Sequence, residues 1–180
     1  MERPTKRVAV IMQRRAIDNR WQSEVWEPVG VLSDYAREDA PRQIVDAPGT
    51  AQWLYPNMEL SLHRAEAEGY FHNVSTPAPN VFVLWRMEEE ATLADEPVAR
   101  PVAVSLSYHD AGRWLDAQET VEQVPAPASV IEWLRAFADE HYVIEPKRRK
   151  RPESFRPLQD RFGNPASITT EKKFGGGGNE

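Results

Sequence analysis

From Val8 to Tyr108, apolar residues recur mainly at every second position, in short stretches broken by Pro, Gly and acidic turns; beyond Ser107 the spacing becomes helical. That order constrains the fold most, because a period of two buries one face of a strand whereas a period of 3.6 buries one stripe of a helix. It predicts an α+β domain in which an antiparallel sheet of about six strands, a meander or small open barrel, is covered by a short helix and a C-terminal amphipathic helix.

The individual stretches set the expected strands. VAVIM, Val8–Met12, is β-branched and apolar on both faces, so it reads as an interior strand. Arg20–Leu32 places Trp21, Val25 and Val31 on one side and Glu24, Trp26 and Leu32 on the other, with a bulge or edge position expected at Pro28. Ser33–Thr50 reads as a connection with a short strand at Gln43–Val45. Met58–Arg64 alternates cleanly, AEAEG follows as a turn, and Tyr70–Ser75 reads as the return strand of a hairpin. Val81–Glu90 and Pro101–Tyr108 supply two further strands. Ser107 and Asp110 then form a capping signal for a helix running to about Gln118, and Ser129 with Glu132 form a second. The latter opens a helix whose apolar stripe is Val130, Leu134, Phe137 and His141.

Charge divides the chain in two. Residues 1–144 hold 13 Lys and Arg against 23 Asp and Glu, giving −10, while residues 145–180 hold 9 against 5, giving +4. Residues 1–144 therefore read as one acidic domain, and 145–180, with its Pro residues and GGGG run, as a flexible basic tail. An acidic body is the wrong footprint for laying a face on phosphates, so nucleic-acid binding would rest on the tail alone and be weak. The absence of Cys removes disulfides, thiolate nucleophiles and Cys-based metal sites. The apolar run near the N-terminus is too short for a signal segment and no stretch is long enough to span a membrane, so the expected compartment is the cytoplasm.

No phosphate-cradling Gly loop, serine elbow or dinucleotide fingerprint is present, and no cofactor is implied. His63 and His72 would lie nearly opposite in the expected hairpin, where with Glu59 they could hold a metal; the plainer reading is a solvated pair on the polar face. His109, Asp110 and Arg113 could do acid–base work, but Asp110 suits a helix first turn without any such role. Arg86 ends an apolar run and needs either solvent or a carboxylate, with Glu88–Glu90 close by in sequence. Six Trp are too many for one small core to bury fully. Trp21 and Trp26, together with Arg86 and the run Lys147, Arg148, Arg149, Lys150 and Arg151, are the expected partner-binding residues, with Trp26 the foremost because it faces the polar side of its strand.

The segments NRWQSEVWEPVGV, FVLWRMEE and PVAVSLSYHDAGRWLDAQETV, followed by an amphipathic helix and a Lys/Arg-rich end, resemble a bacterial domain family of no assigned function, over most of residues 6–145. Genes of that family neighbour those of molybdenum-dependent formate dehydrogenase and its maturation factors. The resemblance implies an accessory or partner role around that enzyme and carries over no catalytic residues. The expectation is a non-catalytic interaction protein whose partner is a formate dehydrogenase subunit or maturation factor. A small metal-binding protein or enzyme using the histidines, or weak nucleic-acid binding through the tail, are the alternatives.

Overall fold

Strand β1 (Thr5–Ala16) is hydrogen-bonded on both sides, to β2 (Glu24–Ser33) and to β4 (Thr50–Ser61), and β3 (Arg42–Ala47) completes an antiparallel sheet of order β2-β1-β4-β3. This interior position explains why Val8, Ala9 and Val10 are all buried. The computed structural model describes residues 3–33, 35 and 40–144. Of two compact units, Met1–Val143 holds every element named here; the other, Ile144–Glu180, falls outside the described residues but for Ile144.

Two irregularities shape this sheet. The β1–β2 register passes from Ile11↔Gly30 to Met12↔Pro28, leaving Val29 unpaired and exposed, so the bulge expected at Pro28 is present on an edge strand where a missing N–H is tolerated. The β1–β4 register jumps from Val10↔Tyr55 to Val8↔Met58. Asn57 absorbs the jump at φ 63°, a conformation Asn adopts more readily than most residues. Across this bulge the inward parity changes, so that Trp53 and Tyr55 before it and Leu60 and Leu62 after it all enter the core.

The second sheet has the order β6-β5-β7, from β5 (Asn80–Met87), β6 (Ala99–Ser105) and β7 (Thr120–Pro125). The architecture is thus α+β as expected, but among the described residues it has seven strands in two sheets and no closed barrel, which corrects the single six-stranded sheet. The hairpin at Met58–Ser75 is where the expectation fails. After β4 the chain makes a 3-10 turn at Arg64–Glu66 and then helix α1 (Ala67–Val74). Ala67, Tyr70, Phe71 and Val74 stand at i, i+3, i+4 and i+7, a helical stripe that emerges only when Ala67 is counted within the element rather than in a turn.

Helix α2 (Tyr108–Asp116) begins as expected, with the Ser107 hydroxyl accepting hydrogen bonds from the backbone N–H groups of His109 and Asp110. It lies against the second sheet, where Tyr108 meets Phe82 edge-on at 5.0 Å. Helix α3 (Ala128–His141) instead has Pro127 at its N-cap position, and the Ser129 hydroxyl is buried without a partner, so Ser129 is not its cap. The expected stripe is correct: Val130, Leu134 and Phe137 are buried in the core that both sheets and α1 share. Phe137 meets Tyr70 of α1 edge-on at 5.8 Å. Burial pushes the Tyr70 hydroxyl up to about 12 and that of Tyr55 higher still, so both stay protonated; Tyr55 donates to the Ala99 carbonyl at 2.9 Å.

Where β7 comes up beside β2, Glu122 is held above the ordinary carboxylate range, first by its own burial and then by Glu27. A raised folded-state pKa contributes stability at low pH that is lost as pH rises through it, so at pH 7 this carboxylate opposes folding. Glu122→Gln is expected to raise Tm at pH 7 by about 1–2 °C and to lose that advantage by pH 4, measured by thermal denaturation at both pH values. A variant no more stable than the parent at pH 7 would contradict the assignment.

Candidate functional site

A connected cluster of polar side chains forms where the start of α1 meets α2. Ser107, fully buried, donates from its hydroxyl to Glu66 Oε2 at 2.8 Å while capping α2. Arg113 binds Glu66 Oε1 at 2.9 Å and also Asp110, whose Oδ2 accepts from the Ser105 hydroxyl at 2.6 Å. His109 Nδ1 stands 3.4 Å from Glu66 Oε2. Partial burial alone would raise the Glu66 carboxyl, but the hydrogen bonds from Arg113 and Ser107 and the charges of Arg113 and His109 outweigh it, holding Glu66 below its usual value.

Chemically this constellation is a clasp. The Ser107 oxygen is enclosed, gives its proton to Glu66 and accepts two N–H groups, which leaves it no approach to a substrate. Asp110 and Arg113 answer one another, with Ser105 of β6 and Glu66 as their further partners, and Asp110 stands in the first turn of α2, where a carboxylate is favoured. Gly69 makes the close approach possible: a Cβ there would lie 2.4 Å from the Ser107 hydroxyl oxygen.

The two histidines once placed across a hairpin are separated by secondary structure. His63 precedes the 3-10 turn with Nε2 3.3 Å from the Ser61 hydroxyl, whereas His72 sits on α1 beside Glu68 at 3.7 Å. The return strand that would have set them opposite one another is helix α1 instead, and no group of three or more His, Asp or Glu able to hold a metal occurs among the described residues.

Trp21 lies in the loop between β1 and β2, before the strand expected to contain it. Its side chain is 88% exposed, with the Arg20 guanidinium 5.8 Å from the ring and its backbone N–H bound to Asn19 Oδ1 at 3.0 Å. Trp26 corrects the sequence reading: it turns toward the core, 5.1 Å from buried Trp53, with Arg14 over both rings. The cross-strand match of Arg14 with Trp26 puts this indole on the inner face, where it is partly buried against the core. A family profile described as "Protein of unknown function (DUF3305)" matches residues 7–151. The chain belongs to the DUF3305 family.

The DUF3305 match takes in all of β2–β7 and the three helices, and most of β1. No curated protein and no solved structure matches the chain. The other residues expected at a partner surface are placed as follows. Arg86 is exposed and binds Glu119, just before β7, through both carboxylate oxygens, so its partner is not among Glu88–Glu90. Lys147, Arg148, Arg149, Lys150 and Arg151 fall within the family match but outside the described residues. No helix among the described residues is long and apolar enough to cross a membrane.

Proposed function

We propose that this DUF3305 chain is a non-catalytic interaction protein that docks through the Arg20–Trp21 loop, its partner being a molybdenum-dependent formate dehydrogenase subunit or maturation factor. The exposure of Trp21 carries the reading. An indole left 88% in water is a large apolar surface held out on a loop, and covering it on association is worth about 2–3 kcal/mol. Arg20 beside it supplies a cation whose stacking strengthens when a partner excludes water. The internal satisfaction of the α1–α2 clasp supports a structural use for its polar groups. The choice of partner is supported by the sequence resemblance and its gene neighbourhood.

The test is affinity recovery of the tagged full chain from a native host under gentle conditions. A formate dehydrogenase subunit or maturation factor is expected to co-purify, and Trp21→Ala is expected to weaken that association at least about thirty-fold with Tm unchanged. Recovery of the chain alone, or equal recovery with the Trp21 variant, would overturn the proposal.

A further inference from the structure

At the opposite end of β1 from Trp21, the chain entering β1, the exit of β4 and the last turn of α3 enclose a groove of about 550 Å³. Its apolar floor is Leu62 and Phe137, 1% and 7% exposed. Around that floor stand Arg3, His63, Arg64 and His141. Neither Arg3 nor Arg64 has an ion-pair partner among the described residues, although the domain is acidic and carboxylates are abundant. The single carboxylate in the lining, Glu140, is mostly exposed and stands 3.8 Å from His141 Nε2.

We propose that this groove binds a small organic anion: a carboxylate or phosphate carried on an aliphatic or aromatic body. The two free guanidinium groups supply forked donors for the anion, and the Leu62–Phe137 floor supplies the surface for its body. The dimensions suit a small molecule, since such sites enclose roughly 300–1,000 Å³. A polyanion is disfavoured because residues 1–144 carry a formal −10, which repels extended phosphate chains beyond the groove itself.

The backbone that carries the rim, and the His141 ring, are held before a ligand arrives. The Pro4 carbonyl accepts from the Leu62 N–H at 3.0 Å, which pins the segment bearing Arg3 to the end of β4. The His63 N–H donates to the Tyr70 hydroxyl at 3.1 Å, and the His141 ring lies edge-on to Phe137 at 4.4 Å. A preorganised rim of this kind lowers the ordering cost of binding.

The probe is 1-anilinonaphthalene-8-sulfonate, an anion on an aromatic body, titrated into the full chain and followed by fluorescence. It is expected to bind with one-to-one stoichiometry, to be displaced by 1-naphthoate, and to be displaced at least about ten-fold less well by neutral 1-naphthylmethanol. Arg3→Ser with Arg64→Ser is expected to weaken naphthoate about ten-fold while leaving the neutral alcohol and Tm unchanged, and Trp21→Ala should bind like the parent. Equal displacement by the neutral alcohol would leave only an apolar patch, and equal displacement by inorganic phosphate would remove the role of the floor. Parent-like naphthoate binding in the double Arg variant, or loss of probe binding in the Trp21 variant, would place the probe elsewhere. Any of these four results overturns the proposal.

Discussion

Asn73→Ala is expected to lower stability by about 3 kcal/mol, seen as a fall in Tm of roughly 10 °C by circular dichroism. Asn73 is fully buried on α1, and its amide nitrogen donates to the Asn80 carbonyl at 2.7 Å and to the Leu106 carbonyl at 2.8 Å. Its Oδ1 accepts from the Asn80 N–H at 3.0 Å. One side chain therefore ties α1 to the start of β5 and to the chain leaving β6. Truncation leaves two carbonyls and one N–H short of a partner in a closed space, and adds a cavity. Asn73→Asp separates these effects: it keeps the volume and the Oδ1 acceptor but turns a second oxygen toward two carbonyls. It should be at least as damaging as alanine. A loss below about 1 kcal/mol in either variant would show the three bonds to be replaceable by water.

Asn73 also marks the limit of what the sequence could convey. The residues whose partners lie within a few positions were legible: Ser107 caps α2, Pro28 forces a bulge on an edge, and Val130, Leu134 and Phe137 bury one stripe of α3. Elements stabilised from a distance were not. Helix α1 contains Gly69 and follows a segment that reads as a turn, and it is held by Asn73 and by the Tyr70–Phe137 contact rather than by local preference. Strand β4 runs through Pro56 and Asn57, which look like a turn until the bulge opposite β1 absorbs them. Strand β7 is short and carries Glu122 and Gln123, so its pattern lacks the apolar signature of a strand.

The candidate surfaces divide the same way. Six Trp exceed one core's capacity, but composition does not show which indole is exposed, and strict alternation puts Trp26 on the face opposite Val31, whereas the bulge at Val29 shifts the parity of β2 and brings both to the inner face. Arg86 needed a carboxylate, but the one it found is across the sheet at Glu119 rather than in the adjacent acidic run. The groove between His63 and His141 joins residues from opposite ends of the domain, and no local spacing encodes it.

Gly69→Ala is expected to destabilise the fold by about 2–3 kcal/mol, against the usual sign for that exchange. In a helix interior alanine normally gains up to about 1 kcal/mol over glycine. Here the new methyl carbon would lie 2.4 Å from the Ser107 hydroxyl oxygen and 3.3 Å from His109 Nδ1. The hydroxyl cannot swing aside cheaply, because it caps α2 and donates to Glu66, so α1 and α2 must separate instead. A double-mutant cycle isolates that cause. Ser107→Ala alone loses the cap, at about 1 kcal/mol, but it also removes the atom the methyl strikes. Gly69→Ala in that background should therefore be far less harmful than in the parent, and additive losses would refute the clash. Acid titration gives a second readout. Since Glu66 is held below its ordinary value of 4.5, its contribution is present above about that pH and disappears as pH falls through the lower folded value. Forcing the helices apart releases Glu66 from Ser107 and Arg113, so the Gly69 variant should show a shallower loss of stability below pH 4.5 than the parent. An unchanged acid slope would mean that the clasp survives the substitution and that the helices yield elsewhere.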